Sequence, residues 1–199
     1  MAEITTEIIK QLRTETGVSV MQCKKALEEA DGDLEKAKVI LRKKSAKAAS
    51  KKADRELGAG VTRAYIHNNS TVGTLVELNC ETDFVAKNEE FVQLADGIAM
   101  HIAAMAPAFV SAEQATDAER AKVTEVMTEE VAKLDKSDDI KAKVLEGKIA
   151  DYFNEKALLG QSYVKNPDVT VAKLIEEATQ KLGEKIEVAR FARFGVLEE

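Results

Sequence analysis

The apolar residues of this chain change their period at one place. Ahead of Asn79, Val72, Leu75, Val76 and Leu78 read as a strand. Beyond it, Phe91, Leu94, Ala95, Ile98, Ala99, Ile102 and Ala103 recur at the spacing of a single helix face. The stretch from Asn79 to Phe91 is therefore a strand-to-helix corner, where side chains often project outward. Thr82 is placed to cap a short first turn, which sets a carboxylate, Asp83, beside a large aromatic, Phe84, and then Val85. Two roles are open for that pair. Phe84 can plug the local core while Asp83 caps the helix, or both can face a partner.

Composition bounds the rest. A chain of 199 residues with 45% apolar residues has room for a core, and 32% charged residues with only two prolines point to a helix-rich protein. A formal charge of −6 argues against nucleic acid as the main partner. The first residues have neither a basic start nor an apolar run, so no signal peptide is read. Ile98–Val110, the longest apolar candidate, is broken by His101 and Pro107 and falls short of the ~18–20 residues of a membrane span. Cys23 and Cys80 lie in apolar settings without metal-type spacing, which fits reduced thiols and a cytoplasmic location.

Taken in order, Ile4, Ile8, Ile9 and Leu12 form a helical stripe that stops at Gly17. Ser19 to Gln22 has capping-box spacing and opens a second helix, and Asp33 caps a third carrying Leu34, Ala37, Ile40 and Leu41. Residues 42–55 are basic with alanines and no large apolar side chain, which reads as an exposed helical linker. Val61–His67 and Thr71–Leu78 make a hairpin with Asn68 and Asn69 supplying left-handed turn positions, and His67 at its tip. Residues 116–135 and 138–158 form an antiparallel helical hairpin with apolar stripes that include Val126, Leu134 and Ile140. Gly160–Val164 reads as an extended linker, Thr170 begins another helix, and Lys185–Phe194 is a last strand.

The run Asn79-Cys80-Glu81-Thr82-Asp83-Phe84-Val85-Ala86 resembles the signature of the elongation factor Ts family. The N-terminal pattern Leu12-Arg13, Thr16-Gly17, Cys23 to Leu27 and Gly32-Asp33 is similar to that family's ubiquitin-associated-like module, with Val20-Met21 where a Met-Met pair is usual. Ile98 to Ala104, the helical hairpin and the closing Arg190-Phe191 and Arg193-Phe194 continue the likeness along the chain. The resemblance implies an α+β fold: a three-helix ubiquitin-associated-like module (1–43), a basic helical linker (44–58), and a core (59–199). That core is a small antiparallel sheet flanked by helices, with a coiled-coil hairpin at about 116–158.

The same resemblance implies a guanine-nucleotide exchange factor for elongation factor Tu in translation elongation. Thr82, Asp83, Phe84 and Val85 would act near the partner's Mg²⁺ site, with His67, Val20 and Met21 as second-rank contacts. Long family members carry two copies of the sheet-and-helix subdomain. Only one fits here, and the short form is expected to complete itself as a homodimer. A final strand with Ile186, Val188 and Phe191 would leave an apolar edge for that pairing.

Covalent chemistry finds no support. No phosphate-binding glycine fingerprint is present, nor His-Glu-x-x-His or Cys-x-x-Cys. His101 reads as a packed histidine, and no histidine adjoins Cys80 in sequence to activate it. No enzyme, cofactor, metal, nucleotide or direct nucleic-acid binding is expected. The alternative to an exchange factor is a passive ribosome- or RNA-associated module using the N-terminal bundle and the basic stretch.

Overall fold

The computed structural model describes residues 4–198. Three helices open them, each ended or begun by local chemistry. α1 (Thr6–Thr16) starts on Thr5 and stops at Gly17, whose φ of 66° lets its N–H return to Arg13 O at 2.7 Å. Ser19 accepts from Gln22 N–H to start α2 (Val20–Glu29), and Asp33 accepts from Lys36 N–H at 3.0 Å to start α3 (Leu34–Ser50). Their facing residues Leu12, Val18, Cys23, Ala26, Leu27, Ala37 and Leu41 are buried together.

β1 (Ala59–Ile66) and β2 (Val72–Cys80) form the hairpin. Its turn corrects the reading from sequence: Ser70, not an asparagine, takes the left-handed position at φ 58°. Asn69 contributes through its side chain, accepting from Thr71 N–H at 3.2 Å. Along β2 the buried set is Thr74, Val76, Leu78 and Cys80, while Leu75 is exposed. Thr74 tolerates burial because its hydroxyl donates to Ala99 O at 2.9 Å.

After β2 come α4 (Asp83–Ala86) and α5 (Glu89–Met105), whose Phe91, Ala95, Ile98, Ala99 and Ile102 are buried. α6 (Asp117–Ala132) begins with a reciprocal capping box between Thr116 and Glu119. α7 (Asp138–Lys156) runs antiparallel to it: Arg120 stacks over Phe153 at 4.8 Å and Lys148 bonds Glu130 at 2.7 Å. Val126, Leu134 and Ile140, read as inward, are exposed. The supposed linker at 160–164 contains β3 (Ser162–Tyr163), paired antiparallel with β4 (Asn166–Thr170). α8 (Val171–Leu182) and β5 (Ile186–Gly195) follow. β5 lies beside β2 in the order β1-β2-β5, antiparallel as the Arg190–Glu77 and Val196–Thr71 bonds require.

The chain is thus α+β, and its described residues gather into two compact units that it visits in turn. One takes the described residues up to Thr62 with Leu78–Leu94 and Lys173–Glu187, the other Arg63–Glu77, Ala95–Ala172 and the described residues from Val188 on. Within the first, the basic stretch is not a free linker. α3 continues through it to Ser50, and Lys173 Nζ donates to Arg42 O at 2.8 Å and to the fully buried Ser45 at 3.2 Å. Small alanine and serine faces let α8 approach closely here, and Lys173 meets the polar groups so covered. Within the second, His101 is fully buried on α5. Its Nδ1 accepts from Val164 N–H at 3.1 Å, and Nε2 lies 3.0 Å from Gln161 Oε1.

Candidate functional site

Cys80 ends β2 with its thiol buried and donating to Thr82 O at 3.2 Å. Burial pushes this thiol's pKa up, and the Glu184 carboxylate adds to the effect. The chain then turns into α4. Thr82 stands at the N-cap position with extended backbone, φ −129° and ψ 156°, yet its side chain makes no capping bond. The reason is tertiary: its hydroxyl donates instead to Glu184 Oε1 at 2.6 Å.

Glu184 does more than occupy that hydroxyl. Its Oε2 accepts from the backbone N–H groups of Glu81 at 3.1 Å and Thr82 at 3.0 Å. The Glu81 side chain answers, accepting from Lys185 N–H at 2.6 Å and from Arg55 Nη1 at 3.0 and 3.1 Å. The Lys185 N–H, with Arg55 assisting, holds the Glu81 carboxyl below the usual carboxylate range despite its partial burial.

α4 has only four residues, too few to be stable through its own hydrogen bonds. Buried Val85 and Ala86 pin its inner side. Phe84, in contrast, is 80% exposed, so the ring plugs no local core. Asp83 pairs with Lys87 Nζ at 2.7 Å, and that ammonium holds its carboxyl below the usual range. Both partners are more than three-quarters exposed, and an ion pair so wet is readily exchanged for another. The corner therefore presents an apolar ring and a carboxylate outward, with Val85 turned in.

The second-rank residues lie elsewhere. Val20 and Met21 begin α2 in the first unit and are 48% and 64% exposed, an apolar pair on the surface. His67, in the second unit, is exposed at the hairpin tip with its Nδ1 3.2 Å from the Tyr65 hydroxyl. In the basic stretch, Lys44 bonds Glu29, Lys52 reaches Thr179 O and Arg55 holds Glu81. Among the described residues, no group of three or more histidine, cysteine, aspartate or glutamate side chains is disposed to hold a metal ion, and no helix is long and apolar enough to cross a membrane. Sequence reasoning missed Glu184, Glu81 and Arg55. Nothing local in the sequence marks a carboxylate about a hundred residues from the turn it holds.

Comparison with known proteins bears on the whole arrangement. The family model described as Elongation factor TS matches residues 47–198, which include the corner, the hairpin and β5. The elongation factor Ts of Thermosipho melanesiensis is 45% identical over 195 residues, covering 98% of this chain and all of that one. This chain belongs to the elongation factor Ts family. Elongation factor Ts of Heliobacterium modesticaldum is 46% identical over 191 residues, 96% of this chain and 89% of its own. That of Desulfosudis oleivorans is 40% identical over 198 residues and is covered in full. Both the short and the slightly longer relatives thus align with the three-helix module as well as with the sheet and helices.

Proposed function

We propose that this protein is a translation elongation factor of the cytoplasm that releases guanine nucleotide from elongation factor Tu, through non-covalent contacts made by Asp83 and Phe84. The observation that carries this reading is the 80% exposure of the Phe84 ring on a corner whose neighbours are buried or hydrogen-bonded. A large aromatic held outward in a fixed direction suits insertion into a partner's pocket. In GTPases of the elongation factor Tu kind, Mg²⁺ and the phosphate loop hold the nucleotide's phosphates. Phe84 wedges near that metal site, and Asp83 exchanges Lys87 for hydrogen bonds of the partner, so metal coordination and then nucleotide are lost. Because such coupling is reciprocal, nucleotide weakens the complex by the ratio in which the factor weakens nucleotide binding.

Val20, Met21 and the rest of the three-helix module, residues 1–43, supply a docking arm, and His67 a second contact. The chain acts as a homodimer in which Asp83 and Phe84 of one copy work beside His67 of the other. Ile186 and Val188 are buried and Phe191 is half-buried, which corrects the exposed apolar edge expected there; the exposed apolar residues of the second unit include Ile66, Leu75, Phe194, Val196 and Leu197. Those on or just beyond the sheet strands offer apolar side chains to a second copy.

The deciding experiment is stopped-flow release of labelled GDP from elongation factor Tu with and without this protein. Acceleration lost in Phe84→Ala supports the reading, and an unaltered release rate with the intact protein refutes it. For the dimer, Phe84→Ala and His67→Ala proteins, each weak alone, regain exchange when mixed. A monomeric mass by light scattering at micromolar concentration rules that assembly out.

A further inference from the structure

We propose that Glu184 is the positioning residue of the corner: through Thr82 it sets the direction in which Asp83 and Phe84 leave the backbone. Three donors converge on its carboxylate, the N–H groups of Glu81 and Thr82 and the Thr82 hydroxyl, at 3.1, 3.0 and 2.6 Å. Only a side chain with two strongly accepting oxygens takes all three at once. The residue immediately ahead of the exposed pair is thereby bound through both its backbone and its side chain. Asp83 and Phe84 follow directly, on a helix too short to orient itself.

The rest of the local architecture serves the same end. Gly183 ends α8 at φ 81°, a left-handed turn that delivers Glu184 to the corner, and a Cβ there would meet nothing, so its role is conformational. The Glu81 side chain bonds Lys185 N–H and Arg55, so the two segments grip each other reciprocally. Thr82 gives up its capping bond to take part. A corner that merely needed stability would keep the local cap. This one sacrifices it for a fixed attachment to a distant segment.

This inference rests on the exchange reading above, and its test separates the two. Glu184→Ala, Glu184→Gln, Phe84→Ala and the double variant Glu184→Ala/Phe84→Ala are compared by labelled GDP release from elongation factor Tu, per folded molecule. Hydrogen–deuterium exchange at the Glu81 and Thr82 amides is followed in the free proteins. Glu184→Ala is expected to lower release roughly tenfold, the worth of one charge-assisted hydrogen bond. Glu184→Gln, which keeps the shape and one accepting oxygen, is expected to fall between Glu184→Ala and the natural protein. The two amides lose protection in Glu184→Ala, and the double variant is no slower than Phe84→Ala alone, because Glu184 acts through the ring's placement. The proposal is overturned if Glu184→Ala keeps full activity while Phe84→Ala loses it, if the two losses multiply, or if amide protection is unchanged. If the intact protein does not accelerate release, the exchange reading falls, while the amide measurement still decides whether Glu184 holds the corner.

Discussion

Phe84 and Val85 are consecutive residues with opposite surroundings: the ring is 80% exposed and the isopropyl group 4%. The α4 turn separates a side chain available to a partner from one committed to its own fold. Phe84→Ala is expected to change unfolding free energy by no more than about 0.5 kcal/mol, as for other surface substitutions. Its loss from an interface costs on the order of 2 kcal/mol, about thirtyfold in exchange. Val85→Ala should reverse the pattern, costing about 1–3 kcal/mol of stability while retaining exchange per folded molecule. Urea titration and stopped-flow release on the two variants check both halves.

His101 makes the second unit sensitive to acid. Burial lowers its pKa below the usual histidine value because a charged ring is poorly solvated there, a shift the Gln161 hydrogen bond opposes; protonating Nδ1 would also cost the bond it accepts from Val164 N–H. Above the unfolded-state pKa, about 6.5, the ring is neutral in both states and its contribution is intact. As pH falls, the unfolded chain takes the proton first, and stability is lost through the window down to the folded pKa. Within it the slope is at most about 1.4 kcal/mol per pH unit. Urea midpoints between pH 7.5 and 5 should fall more steeply for the natural protein than for His101→Gln. Equal slopes would remove His101 as the cause.

Gly160 tests backbone crowding rather than backbone conformation. A Cβ built there runs into the carbonyl of Asn154, a main-chain atom that cannot swing aside. Gly160→Ala should cost about 1–3 kcal/mol of stability by overpacking, read as a lower urea midpoint, with exchange per folded molecule unchanged.

Cys80 should be chemically silent in the folded protein. Its thiol is buried, with a pKa raised by that burial and by the nearby Glu184 carboxylate. In a Cys23→Ala background, reaction with an aromatic disulfide at pH 8 should be on the order of a hundredfold slower than for a free thiol and should follow the unfolded fraction as urea is added. Rapid modification without denaturant would contradict the burial described.

What could be read from sequence was whatever is decided within a few residues. The change of period around Asn79 located the corner, Gly17 and Asp33 marked helix ends because capping is local, and His101 announced itself as packed by its place beside an apolar stripe. Its partner Gln161, 60 residues on, did not. Continuation of α3 through alanines and lysines gave no apolar signal, since what meets it is the ammonium of Lys173 from α8. β3 has two residues, too few to display a period of two. Val126 and Ile140 carry the right residue type for a buried stripe, but hydrophobicity does not say whether anything arrives to cover it. The exposed half of the corner followed the resemblance, and the carboxylate that attaches it was invisible for want of any local trace.

That attachment has a consequence in time. Glu184 lies 103 residues beyond Glu81. On a ribosome adding about 5–20 residues per second, roughly 5–20 s pass between synthesis of the corner and synthesis of its anchor. The three-helix module can pack meanwhile, since its contacts are local and such contacts form early. The corner cannot. A nascent chain arrested short of Gly183 carries Asp83 and Phe84 without the carboxylate that binds Thr82, so on the proposed reading the corner is complete only once α8, the last helix described, has emerged, and not with the motif itself.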